Sequence, residues 1–142
     1  AVANGGTFHD PYLVESIADD DGSTASHEEE GAVVLQPETA QQLRQALAEV
    51  TGEGGTLESV EYDKSRVRFY AKTGTHVARK ESASGQYTAR YFWIVGAAEH
   101  VQGNAEPIAF AVVVEGRDAQ LGREQVRAVT GRILRGFAER ER

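Results

Sequence analysis

Cysteine is absent from the 142-residue chain. That excludes disulfides and thiolate zinc sites, although it leaves the compartment open. Long hydrophobic runs are also missing. The longest, residues 91–98 and 108–114, have the length of a strand, whereas a membrane helix needs about 20 apolar residues. The first residues show no charged-then-apolar leader pattern, so any membrane anchor is expected upstream of Ala1. Positive charge is scarce as well. The net charge is −7, and the arginines of residues 123–142 alternate with glutamates, which reads as a solvated helix face. Nucleic acid binding needs a basic stripe, and none is present.

The familiar self-contained active sites are missing too. No phosphate-binding loop, dinucleotide glycine fingerprint or G-x-S-x-G elbow occurs. The four histidines, His9, His27, His76 and His100, form no H-x-x-x-H pair and read as surface or loop residues. The Glu53-Gly54-Gly55 segment is too short and acidic to cradle a phosphate, and reads as a helix stop. No metal and no cofactor is expected.

What remains is an ordinary globular composition, 40% apolar and 26% charged. A chain of this length buries roughly two-thirds of its unfolded surface. Residues 1–6 read as the last turn of a helix closed by Asn4, Gly5 and Gly6, and residues 11–17 as an extended stretch. Residues 19–30 are acidic and small, which predicts a solvated surface loop over about 18–32. Val33, Val34 and Leu35 form a brief strand before a helix with Pro37 in its first turn. Leu43, Leu47 and Val50 make the buried face of that helix, and Gly52, Gly54 and Gly55 end it.

Residues 66–72 alternate as a half-buried strand, with Val67, Phe69 and Ala71 on one face. Residues 76–90 read as a long polar loop, and residues 103–107 as a turn. The apolar runs 91–96 and 108–115 fit central strands covered on both faces. Val126, Val129, Ile133, Leu134 and Phe137 lie at helical spacing over residues 123–137. The fold class is therefore α+β, an antiparallel sheet flanked by helices.

One tetrapeptide carries a chemical case: Lys72-Thr73-Gly74-Thr75, expected at the end of the strand 66–72. A lysine and two hydroxyls can converge there on a carboxylate. Glycine between them removes the Cβ that would block a ligand's backbone. Amides at a strand edge can pair with an extended peptide or face a developing oxyanion. A plain strand running into a turn accounts for the same four residues equally well.

K-T-G is also one of three signatures of penicillin-binding proteins and serine β-lactamases, with S-x-x-K and S-x-N. Several flanking segments resemble the same family in the expected order. They are Ala1-Val2-Ala3-Asn4-Gly5-Gly6-Thr7 followed by Pro11, Leu35-Gln36-Pro37-Glu38-Thr39-Ala40, Gly54-Gly55-Thr56, Trp93-Ile94-Val95-Gly96, and residues 107–115. The chain thus resembles the carboxy-terminal part of a penicillin-binding-protein transpeptidase domain, with a β-lactamase/transpeptidase-like fold.

The resemblance implies a D,D-transpeptidase that cross-links peptidoglycan stem peptides and is acylated by β-lactams in the cell envelope, outside the cytoplasm. Lys72 would support the proton relay and help hold the substrate carboxylate. The hydroxyls of Thr73 and Thr75 would bind that carboxylate, Gly74 would admit the ligand, and the Thr75 backbone N–H would form half of the oxyanion hole. Two departures stand out. No serine lies three residues before Lys64, Lys72 or Lys80, and none lies two residues before Asn4 or Asn104, so S-x-x-K and S-x-N are absent. Gln36, Ala71 and Ile94 also differ from the residues the family prefers.

The expectation is a single partial domain, inactive alone, whose partner is the amino-terminal half of the same domain. Without that half the chain is expected to self-associate. A non-catalytic module that binds a cell-wall peptide or a protein partner is the alternative, and an unrelated α+β domain with a chance KTGT is a third reading.

Overall fold

The computed structural model describes residues 1–26, 30–102 and 106–140. His27, Asn104, part of the expected acidic loop and most of the expected 103–107 turn lie outside them. The chain divides into two compact units, Ala1–Gln42 and Leu43–Arg142.

In the first unit, the opening residues form a tight turn in which the Gly6 N–H donates to the Ala1 carbonyl at 2.8 Å. Gly5 and Gly6 have φ of 79° and 114°, the region that disfavours any side chain. The Gly6 carbonyl then accepts from the N–H groups of Val34 and Leu35 at 3.0 and 3.1 Å. A Cβ at Gly6 would stand 2.1 Å from the Leu35 carbonyl oxygen, so only glycine permits this closure. Strand β1 (Thr7–His9) pairs antiparallel with β4 (Gly31–Val33). Between them β2 (Ser16–Ala18) pairs with β3 (Thr24–Ser26).

Part of the expected acidic loop is thus a short hairpin. Its turn is closed by the Asp21 carboxylate, which accepts the Ser23 N–H at 2.9 Å. Hydrogen bonds from Ser23 hold the Asp21 carboxyl below its ordinary range. The extended stretch expected over 11–17 contributes only its end to a strand, and Leu13 is fully exposed.

Helix α1 (Pro37–Ala48) begins at Pro37, as its missing N–H allows. Its apolar stripe is only partly buried: Leu43 is 40% exposed, while Val50, just past the helix, packs on the core of the second unit.

The second unit is a three-stranded antiparallel sheet in the order β5 (Val67–Ser82), β6 (Gly85–His100), β7 (Ile108–Gly116), with α2 (Ala119–Ala138) laid on one face. The polar loop expected over 76–90 is instead the continuation of both strands. Their register runs unbroken from Val67↔His100 to Ser82↔Gly85. Low hydrophobicity there signals exposure rather than loop, because a ribbon in which Ala89 alone is buried needs few apolar side chains. Side-chain ladders support it. Lys80 pairs with Glu115 at 2.9 Å and lies 5.0 Å from the Tyr91 ring centroid, and the Arg117 guanidinium lies 4.4 Å from that of Tyr87.

Phe92, Ile94 and Val112 point into the core beneath Val126, Leu134 and Phe137 of α2. Trp93, Val95 and Val113 on the opposite face are 40–46% exposed. The central strands are therefore covered on one face along this stretch, which corrects the two-sided burial expected from their apolar runs. Helix α2 starts four residues earlier than its stripe suggests. Asp118 caps it by accepting the Leu121 N–H at 2.7 Å. Val129, expected in the stripe, is exposed.

Gly122 of α2 lies against the Phe92 ring, where a Cβ would come within 2.2 Å of Cε2. The missing side chain lets the first turns of the helix settle close over β6.

Candidate functional site

The hydrogen bonds of β5 show which of its backbone groups are available to a ligand. The Val101 N–H donates to the Arg66 carbonyl at 2.8 Å. In an antiparallel pair, directly opposed residues alternate between those that exchange hydrogen bonds and those that do not. Since the register is unbroken, the backbone groups of residues 68, 70, 72, 74 and 76 face β6, and those of 67, 69, 71, 73 and 75 face away. Two contacts agree. The Phe69 carbonyl accepts the Thr51 hydroxyl at 2.8 Å, and the Thr73 carbonyl accepts Lys72 Nζ at 2.7 Å. No described strand pairs with β5 on that outer side. The Thr73 and Thr75 amides therefore point out along an open edge.

The four residues expected to carry chemistry lie within the strand rather than at its end. The side chains of Thr73 and Thr75 alternate onto the face that carries α2, together with Phe69 and Ala71. Lys72 and Gly74 lie on the other face. The lysine nevertheless returns to the edge, because its ammonium reaches the outward carbonyl of Thr73. The Lys72 ammonium thus reaches the outer edge from one face, while Thr73 and Thr75 line a groove on the other.

Gly74 has no structural reason to be glycine. Its φ lies outside the positive region, and a Cβ there would meet only Trp93 Cβ, at an ordinary 3.6 Å. Glycine inside a strand costs about 0.5–1 kcal/mol relative to alanine, so its presence fits a strand that something approaches closely.

Beside Thr73 and Thr75 opens a groove of about 150 Å³, walled by Thr56 and Leu57 and by Arg123, Val126 and Arg127 of α2. Leu57 is buried and ties its wall down, its N–H donating to the Val50 carbonyl at 2.8 Å. Gly55 passes so close to residue 50 that a Cβ would stand 2.4 Å from the Val50 carbonyl oxygen. Arg127 braces the same wall by donating to the Thr56 carbonyl at 2.9 Å.

Arg123 and Arg127 are the site residues that sequence reasoning missed. Their alternation with glutamates suggested a solvated face. The available signal was their spacing of four residues around the apolar Val126, which turns both guanidiniums toward one side of the helix.

Further along β5, the Tyr91 hydroxyl and then the Glu115 carboxylate raise the Lys80 ammonium above its ordinary range. Lys80 in turn holds Glu115 below the usual carboxylate range. This cluster ties the hairpin to β7 and stands apart from the groove.

Among the described residues no group of histidine, aspartate and glutamate is placed to hold a metal. His9 lies in β1 and His76 in β5, where it stacks on Tyr91 at 6.1 Å. His100 ends β6 and packs 4.2 Å from the Phe137 ring. All three lie in strands; His76 is at the surface, as expected, whereas His9 and His100 are partly buried.

The family model for the penicillin binding protein transpeptidase domain matches residues 1–135. No curated protein matches the chain.

Proposed function

The chain belongs to the penicillin-binding-protein transpeptidase family, and from that premise we propose that it supplies the substrate-binding strand of a peptidoglycan D,D-transpeptidase without supplying the nucleophile. The observation that carries this reading is the outward edge of β5, where the Thr73 and Thr75 amides flank a glycine the fold does not require. An extended stem peptide or a β-lactam lies along such an edge as an added strand. The Thr75 N–H donates to the oxygen that becomes negative when the acyl carbonyl is attacked. The hydroxyls of Thr73 and Thr75 hold the ligand's carboxylate, and the Lys72 ammonium adds positive charge beside them.

The attacking serine and its lysine belong to a part of the protein outside these 142 residues. An acyl-transfer nucleophile needs a base within hydrogen-bond reach, and no serine of this chain stands one helical turn before a lysine. The reaction is placed at the outer face of a cell membrane, where peptidoglycan is assembled. No described helix is long and apolar enough to cross a membrane.

Incubation of this chain with a labelled penicillin is expected to give no covalent adduct by intact-mass spectrometry. The longer protein, carrying S-x-x-K, is expected to take up one equivalent. An adduct on a serine within residues 1–142 contradicts the division of labour. The alternative is a non-catalytic module binding a cell-wall peptide, and a longer protein that binds stem peptide without being acylated favours it.

A further inference from the structure

A second groove, of about 410 Å³, lies along α2 and shares only Arg127 with the groove beside Thr73 and Thr75. Its size is that of a ligand cleft, roughly 300–1,000 Å³. Buried Gly131 brings the helix against residue 61, where a Cβ would stand 2.8 Å from the Glu61 carbonyl oxygen. Arg135 donates to that carbonyl at 2.9 Å, as Arg127 does to the Thr56 carbonyl. The Glu124 carboxylate accepts Gln120 Nε2 at 3.0 Å. Arg132 is different. It is exposed and makes no hydrogen bond or ion pair with any described residue. Arg127, Arg132 and Arg135 outnumber Glu61 and Glu124 in the lining, so the groove carries a positive excess.

The matching charge lies elsewhere in the same sequence. All 15 lysines and arginines belong to the second unit, and the first unit has none. In the β2–β3 hairpin of that first unit, the Asp19 N–H donates to the Ser23 carbonyl and the Gly22 N–H to the Asp19 carbonyl, both at 2.9 Å. Ser23 occupies the carboxylates of Asp19 and Asp21. Asp20 is left exposed at the tip, with no hydrogen bond or ion pair to any described residue. We propose that the Asp20 tip of one copy of the protein docks in the Arg132 groove of a second copy. A guanidinium and a carboxylate form a charge-assisted, bidentate pair. A hairpin tip is narrow enough to enter, since its strands lie about 4.8 Å apart. Each copy carries one tip and one groove, so the contact is heterologous and strings copies head to tail. The inference does not draw on the functional reading above.

The test is light scattering of the full-length protein at concentrations up to about 100 μM, with a thermal melt of each variant to report its fold. The mean mass is expected to rise with concentration at low salt and to fall toward the monomer at high salt, as charge-led contacts do. R132E and D20K each set like charges against one another, and each is expected to weaken association at least about tenfold. An equimolar mixture of the two variants is expected to regain association, because the intact tip of R132E meets the intact groove of D20K. The double variant R132E/D20K, whose reversed charges match again, is expected to associate as well. R140E makes the same change of charge outside the groove and is expected to behave as the parent does.

A protein that stays monomeric at every concentration overturns the proposal and leaves the groove to an acidic partner other than a second copy. Association that R132E and D20K leave undiminished overturns it too, by placing the contact on another surface. An equal loss in R140E reduces the effect to net charge, and a mixture that fails to associate shows that tip and groove are not partners. Either result overturns the assignment. None of these outcomes touches the Thr73–Thr75 edge, which the labelled penicillin tests separately.

Discussion

Thr73→Val is expected to slow acylation of the longer protein by a β-lactam ten- to hundredfold while leaving its fold intact. Valine matches threonine in shape and favours a strand at least as well, and Thr73 is only partly buried. What is lost is one hydroxyl lining the groove. A hydrogen bond to a charged group contributes roughly 1.5–3 kcal/mol, and each 1.36 kcal/mol in the barrier is about tenfold in rate. Stopped-flow acylation gives the rate, and a thermal melt by circular dichroism shows whether the fold survives. An unchanged rate with an unchanged melt would mean that Lys72 to Thr75 is merely a stretch of strand. A collapsed melt would place the hydroxyl in the fold rather than in the site.

Phe92→Ala carries the largest expected effect on stability, about 3–5 kcal/mol, the usual cost of truncating a buried aromatic. Phe92 is among the largest fully buried side chains, 1% exposed, and its ring fills the space that Gly122 leaves open on α2. The surrounding backbone has little freedom to close the cavity, because β6 is paired on both sides. A domain holds only about 5–15 kcal/mol in total, so this variant should lose a large share of it. Urea unfolding measures the difference as a fall in midpoint. A loss below about 1 kcal/mol would contradict the packing of α2 on the sheet, since only a loosely filled core tolerates such a truncation.

The parts of this fold that sequence could reveal are those where one force dominates. Pro37 marked the start of α1 because its chemistry suits the first helical turn, and the alternation of Val67, Phe69 and Ala71 marked a half-buried strand. The hairpin joining β5 and β6 stayed hidden. Its residues gain stability from cross-strand partners such as Lys80 with Glu115, and such pairing leaves no apolar periodicity behind. Burial was misjudged for the same kind of reason. The run of residues 91–96 is apolar throughout, yet Trp93 and Val95 lie on the face without α2, and hydropathy does not record which face a neighbour covers.

The candidate site divides along the same line. Lys72 to Thr75 were legible because four adjacent residues of unusual chemistry sit within one strand. The outward direction of the Thr73 and Thr75 amides was not legible, since it depends on which residues of β6 they face. Arg123 and Arg127 were missed because they meet Thr73 only after about fifty residues of chain have folded back over the sheet.

The account stands most directly on the amide of Thr75. Hydrogen exchange at single residues, followed in the longer protein before and after acylation by a β-lactam, tests whether that amide is the oxyanion donor. In the free protein, Thr73 and Thr75 are expected to exchange much faster than Lys72 and Gly74, whose amides are bonded to β6. Acylation is expected to protect Thr75 strongly and to leave Lys72 and Gly74 unchanged. Complete acylation with no added protection at Thr75 would contradict the claim that this edge of β5 binds the reacting carbonyl.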